Sequence, residues 1–294
     1  VVVIGTAVKR REKQLADSEK LVAIVTGASS GIGAETAVAF ARRGYVVFLA
    51  ARRVEKLKQV AVRCREVGSE PRIVPTDVAE RTQVEALVAA AIDEFGHVDV
   101  LVNNAGYGHF ARVAELDEDE LRRIFQVNFY GLLYGCQAVA PHMQRRRSGH
   151  IFNVSSIIGK RGTPFHGAYV ASKFAVTGLS DSLRVEMIPY NVKVTTVCPA
   201  LTATEFFDVS ERGRAARSSF VNIKKMTSPQ QVARRIASTV GKNKPEMVFT
   251  LGGKFLLLLN SLWPRGADLL MKFYHDDLAR RLDGDGSGKQ AGTP

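Results

Sequence analysis

Cysteine is scarce, with only Cys64, Cys136 and Cys198 in 294 residues. They stand far apart, form no C-x-x-C pair and have no histidine spaced to join them, which excludes a cysteine-built zinc site and a disulfide framework. Buried, reduced thiols in a cytoplasmic protein are the expectation. Long apolar runs are lacking as well. No segment reaches the roughly 18 apolar residues of a spanning helix, and the opening VVVIGTAVKRREK puts its apolar run before its basic one, the reverse of a secretory signal. Neither export nor membrane crossing is expected. Acidic residues are in deficit, 29 against 41 Lys and Arg, for a formal net charge of +12. Such a balance invites nucleic acid or an anionic surface. Yet the basic residues are scattered, with short runs only at 9–13, 52–53 and 145–147, and no aromatic-interleaved basic stripe accompanies them. No nucleic-acid partner is expected, and most of the charge reads as solvated surface.

What is present is a packed globular composition, 46% apolar, enough for a sizeable core. Near-continuous apolar runs at 21–27 (LVAIVTG), 45–51 (YVVFLAA), 72–77 (RIVPTD), 98–104 (VDVLVNN), 150–156 (HIFNVSS) and 192–199 (VKVTTVCP) suit parallel strands covered on both faces. Helical patterns fill the gaps at 33–43, 54–67, 80–95, 117–147 and 167–187. Strict alternation predicts an α/β fold, a single-domain doubly wound parallel sheet of Rossmann type with helices on both faces. A seventh short strand at 247–251 adds to one edge. The expected organisation is an N-terminal extension over 1–20, the sheet domain over 21–251, an amphipathic helical extension over 252–281 and a disordered tail over 282–294.

Ligands of such sheets bind at the carboxyl ends of the strands. The first strand runs into TGASSGIG, residues 26–33. Gly27, Gly31 and Gly33 let the backbone turn tightly and approach a pyrophosphate at the helix amino terminus, with Ser29, Ser30 and Ile32 completing the turn. The second strand ends at Ala51 followed by Arg52. An acid there would bind a ribose 2′-hydroxyl, whereas a neutral residue followed by arginine suits a 2′-phosphate and points to NADP(H). Arg52 and Arg53 are equally suited merely to begin a solvated helix, and Arg53 reads as doing only that. Asp77 and Val78 end the third strand, placed to read an adenine edge, although Asp77 is equally suited to cap the next helix. The fourth strand ends in NNAG, 103–106, where amides tie loop backbones together and the small Ala105-Gly106 step leaves room beside Asn104 for a cofactor. The fifth ends in VSSIIG, with Ser156 placed to donate toward a developing oxyanion or to serve as an ordinary turn residue. Thirteen residues later comes YVASK, 169–173. The i,i+4 spacing puts Tyr169 and Lys173 on one helix face, where they could equally be a surface pair.

TGASSGIG, NNAG, Asn128, Ser156 and YVASK occur in the order and spacing of the short-chain dehydrogenase/reductase family, which the chain resembles over about 21–251. The resemblance implies an oxidoreductase with Tyr169 as general acid/base, Ser156 polarising the carbonyl, Lys173 holding the nicotinamide ribose and lowering the tyrosine pKa, and Asn128 positioning a water in the proton relay. Pro199 and Thr204 would flank the nicotinamide carboxamide. The physics agrees: a tyrosine titrates near pH ~10, and neighbouring positive charge favours its phenolate. Two departures stand out. Ala200 replaces the glycine usual after the sixth strand, and Ser30 occupies a position that is often basic where NADP(H) is preferred, so that preference rests on Arg52.

Tyr107, His109, Ile157, Ile158, His166, Leu201, Phe206 and Phe207 flank the strand ends. Their apolar character favours a hydrophobic ketone, aldehyde or alcohol; His166 is read either as a substrate contact or as an incidental helix-start histidine. The segment 207–225 resembles the family's variable lid. KFLLLLNSLWPRGADLLMKFYHDDLARR, 254–281, reads as two amphipathic helices broken at Pro264, suited to packing on the lid or on a second subunit, or to peripheral membrane contact. A homodimer or homotetramer is the state the resemblance implies. The same motifs would serve a 3-oxoacyl-carrier-protein reductase, and an NADP(H)-sensing binding protein would keep the fold while losing a catalytic residue.

Overall fold

Val22, Ala23, Ile24 and Val25 are all shut off from solvent, because the pleat sends alternate side chains to opposite faces and both faces are covered. The computed structural model describes residues 20–200 and 227–284. Its elements run β1 (Val22–Thr26), α1 (Gly31–Ala41), β2 (Val46–Ala51), α2 (Val54–Arg65), β3 (Arg72–Pro75), α3 (Arg81–Phe95), β4 (Val100–Asn103), α4 (Glu118–Phe125), a π-helical turn (Gln126–Tyr130), α5 (Gly131–Arg146), β5 (His150–Val154), α6 (Gly167–Met187), β6 (Lys193–Cys198), α7 (Pro229–Thr239), β7 (Glu246–Val248), α8 (Leu251–Leu262) and α9 (Pro264–Gly284).

The seven strands form one parallel sheet in the order β3-β2-β1-β4-β5-β6-β7. Ala23 and Val25 join Phe40, Leu57 and Ile236 in one core layer under α1, α2 and α7. Val22 and Ile24 join Leu87, Leu132 and Val176 in the other, under α3, α5 and α6. This is the Rossmann architecture expected from the alternating pattern. The strand order reverses between β1 and β4, and there the loops after the two strands open a crevice at the carboxyl edge. Cys64, Cys136 and Cys198 are free and buried, and no helix among the described residues is long and apolar enough to cross a membrane.

Four local expectations are corrected. The helix read as continuous over 117–147 is broken by the π turn at Gln126–Tyr130, where one extra residue re-aims the following side chains. The last strand ends at Val248 rather than 251, because the Thr250 hydroxyl caps α8 by accepting from Gly253 N. Helix α7, starting at a Ser228–Gln231 capping box, was not expected at all. The chain enters α1 at Gly31, two residues early. The two tail helices do break at Pro264. Thr204, Leu201, Phe206, Phe207, the segment 207–225 and most of both termini lie outside the described residues.

Candidate active site

The turn after β1 is shaped by contacts that leave no room for side chains. Gly27 has φ +65°, and a Cβ there would sit 2.8 Å from Asn104 Nδ2; at Gly33 it would sit 2.2 Å from Gly27 O. Gly31, with φ +55°, turns the chain into α1. Ser30 occupies the N-cap but its hydroxyl does not cap the helix, so the first N–H groups of α1 face the crevice available for an anion. The NNAG loop is bolted to this turn. Asn104 Nδ2 donates to Thr26 O at 3.0 Å, and the Thr26 hydroxyl accepts from Asn104 N at 3.0 Å and Ala105 N at 3.1 Å. Thr26 is thus a site residue that sequence reasoning passed over. Asn103 turns inward instead, donating to Asn153 Oδ1 at 3.0 Å.

The second strand end changes the assignment of the two arginines. Arg53, read as solvated, aims its guanidinium at the glycine turn, donating from Nη2 to Ser29 Oγ at 3.0 Å and to Ser30 Oγ at 2.8 Å. Arg52 swings the other way, 72% exposed, and lies 3.7 Å from Asp77. Asp77 does not cap the next helix, whose N-cap is Glu80; its Oδ1 accepts from Ala79 N, and Val78 is buried against Gly131. Loop, strand end and turn therefore meet at one edge of the crevice.

The other edge carries Ser156, Tyr169 and Lys173, all buried. The Tyr169 phenol lies near the Ser156 side chain; burial drives its pKa upward, and Ser156 partly opposes the rise. Lys173 stands beside this pair. Its ammonium lies 5.6 Å from the Tyr169 ring centroid and donates to Val154 O at 2.8 Å, while burial brings its own pKa down to about 8. Asn128, in the π turn, is buried with both ends of its amide engaged. Oδ1 accepts from Tyr107 N at 2.9 Å, and Nδ2 donates to Tyr107 O at 3.0 Å and Ser172 Oγ at 3.1 Å. A Cβ on Gly106 would fall 2.9 Å from Asn128 Oδ1 and 3.5 Å from Lys173 Nζ, so the glycine lets the NNAG loop approach the π turn and α6. Pro199 O accepts from Ile157 N at 3.1 Å, which places Pro199 beside Ser156.

Tyr107, Ile158, Leu121 and Phe125 pack around Ile124 and Tyr169, giving the site an apolar wall. His166 is a packing residue: Nδ1 lies 2.9 Å from Pro164 O and its ring meets Phe110 edge-on, and burial lowers its pKa. The His109 Nδ1, by contrast, is buried with no hydrogen-bond partner among the described residues.

The sequence matches the family model for short chain dehydrogenases over residues 21–215. It is 40% identical over 212 residues to glycine betaine reductase ATRR of Emericella nidulans, a match that covers 70% of this chain but 17% of that longer protein. Among solved structures it resembles a variant of actinorhodin polyketide ketoreductase with NADPH (32% identity, TM-score 0.71, covering 80% of this chain and 97% of that one). It also resembles a short chain dehydrogenase/reductase from Burkholderia phymatum in complex with NAD (27% identity, TM-score 0.77, covering 83% and 94%). A glycine turn uncapped for an anion, a buried Tyr169–Ser156 pair beside Lys173 and this match over most of the chain lead to one assignment: the protein belongs to the short-chain dehydrogenase/reductase family of oxidoreductases.

Proposed function

We propose that the protein moves a hydride between NADP(H) and a hydrophobic carbonyl or alcohol. The observation that carries this reading is the burial of Tyr169, Ser156 and Lys173 together at one edge of the crevice, with the Lys173 ammonium beside the Tyr169 ring. When bound, the nicotinamide supplies or accepts the hydride. Tyr169 gives its proton to the carbonyl oxygen in reduction and takes it back in oxidation. Burial keeps the phenol protonated at neutral pH, the form that reduction requires. The Ser156 hydroxyl donates to the same oxygen. Lys173 holds the nicotinamide ribose through its ammonium, and Asn128 braces the Tyr107 loop while keeping a second lone pair on Oδ1 for a relay water.

The residues at the other edge fit a dinucleotide. The uncapped start of α1 suits the pyrophosphate, with Gly27, Ser29, Ser30, Gly31, Ile32 and Gly33 beside it. Asp77 and Val78 suit the adenine, Asn104, Ala105 and Gly106 the nucleoside floor, and Pro199 and Thr204 the carboxamide. The similar structures include both an NADPH and an NAD complex. Preference for the phosphorylated cofactor rests on the sequence Ala51-Arg52, which offers a cation and no carboxylate at that strand end. The apolar wall of Tyr107, Ile124 and Ile158 supports a hydrophobic substrate.

The test is Tyr169→Phe, assayed at the nicotinamide absorbance over a panel of ketones, aldehydes and alcohols. A loss of turnover of about 10²–10⁴-fold with unchanged NADPH affinity is expected; near wild-type turnover would remove Tyr169 as the acid/base.

A further inference from the structure

Helices α8 and α9 turn their apolar residues outward. Leu251, Phe255, Leu258 and Leu262 recur at the spacing of a single helix face, and all four are exposed, as are Leu269, Leu270 and Phe273 in α9 and Trp263 between the helices. Half of the large apolar side chains exposed among the described residues lie on this one pair of helices. Their inner faces are already taken. Arg161 donates to Asn260 and pairs with Asp268. Leu278 is buried with Phe110 and Phe165, the His275 ring stacks 5.2 Å from Phe165, and a Cβ on Gly253 would lie 3.1 Å from Ile157 Cδ1. The outward stripe is therefore surplus to the packing among the described residues.

We infer that this outer face docks on an anionic lipid surface, the acyl region taking Phe255, Leu258, Leu262, Trp263 and Phe273 and the headgroups meeting Lys254, Arg265 and Lys272. The charge favours lipid over a second copy of the chain. Those three cations are exposed on the same turns as the apolar stripe. Asp268 is paired with Arg161 and Asp276 with Lys272, which leaves Lys254 and Arg265 outside any ion pair among the described residues. A two-fold partner would bring like charges face to face, whereas anionic headgroups complement them and the chain's net charge of +12. Neither helix is long and apolar enough to cross the bilayer, so the pair lies along the interface with its cations at headgroup level. The residues that fasten the pair, Ile157 and Phe165, flank Ser156 and precede Tyr169. On the reading of the site given above, docking therefore holds the substrate mouth at the lipid surface.

Trp263 is the only tryptophan in the chain, so its fluorescence reports the contact without any knowledge of substrate. Adding vesicles of phosphatidylcholine and phosphatidylserine should shift its emission to the blue, and brominated lipid should quench it. Phe255→Ser and Phe273→Ser should each weaken vesicle partitioning about tenfold, with Lys254→Glu as a surface change that spares packing. All variants should keep the wild-type circular dichroism and the wild-type affinity for NADPH. No shift with vesicles overturns the proposal. So does a shift produced by concentrating the protein without lipid, which would assign the face to a second copy. Emission already blue and shielded from iodide before lipid is added would assign it to another segment of this chain, with the same effect.

Discussion

Arg53 Nη2 donates to Ser30 Oγ across 2.8 Å, so the second of two adjacent arginines belongs to the glycine turn while the first lies toward Asp77. Their functions should separate accordingly. Arg53→Ala removes the brace on both turn serines and should weaken NADPH and NADH alike, by about tenfold for a lost charged hydrogen bond. Arg52→Asp should lose NADPH affinity far more than NADH affinity, because it replaces attraction to a 2′-phosphate with repulsion. Dissociation constants for both cofactors with both variants check this. A selective NADPH defect in Arg53→Ala would transfer the phosphate role to Arg53.

Lys173 gives the site a pH limit. Burial lowers its pKa to about 8, so in the free enzyme the ammonium is complete below that value and is lost as pH rises through it. Cofactor kcat/KM, which reports ionisations of the free enzyme, should be level at neutral pH and fall up to tenfold per unit above about 8. In Lys173→Arg the charge persists throughout, and this descending limb should disappear even though overall activity is lower. The same inflection in the variant would show that another group causes it.

Gly33 and Gly44 make opposite predictions about glycine. Gly33 is confined by Gly27 O, 2.2 Å from where a Cβ would be, whereas Gly44 has φ +81° and nothing within 4 Å of the added atom. Gly44→Ala therefore carries only the left-handed backbone cost, about 1–2 kcal/mol, and should leave cofactor binding intact. Gly33→Ala must push the turn away from α1 and should weaken cofactor binding as well as stability. Urea unfolding together with NADPH titration distinguishes the two.

Much of the fold is legible in the sequence for physical reasons. Strand runs such as VVFLAA are buried on both faces and so carry no competing polar pattern; the glycine turn is written in residues that only a close backbone approach requires. Arg53 was misread because adjacent side chains diverge at a strand-to-helix junction, and the one-dimensional order does not say which returns to the turn. Asn128 was visible as a residue, but the π turn that aims it was not, since a single inserted residue leaves the helical hydrophobic period almost unchanged. The upward pull on the Tyr169 pKa was likewise hidden. It follows from burial among Ile124, Ala168 and the Tyr107 loop, which spacing alone does not reveal.

His150 sets an acid limit on the fold itself. It is buried in the sheet, where its ring bridges two elements: Gly241 N donates to Nδ1 at 3.2 Å, and Nε2 lies 2.8 Å from the Thr195 hydroxyl, which donates onward to Lys244 O. That arrangement requires a neutral ring with its proton on Nε2, and burial lowers the pKa to about 3. In the unfolded chain the histidine titrates near ~6.5. A depressed native pKa means that its contribution is complete above about pH 6.5 and is lost as pH falls toward about 3, because only the unfolded state takes up the proton. The unfolding free energy should therefore decline by about 1.4 kcal/mol per pH unit over that window from this residue. Carboxylates add their own slope below about pH 5, so the informative quantity is the difference from His150→Gln, which cannot titrate. The variant should be less stable at pH 7.5, where it loses part of the bridge, and should close the gap on the wild type between pH 6 and pH 5. A constant gap across those pH values would mean that His150 gains its proton in the folded chain as readily as in the unfolded one.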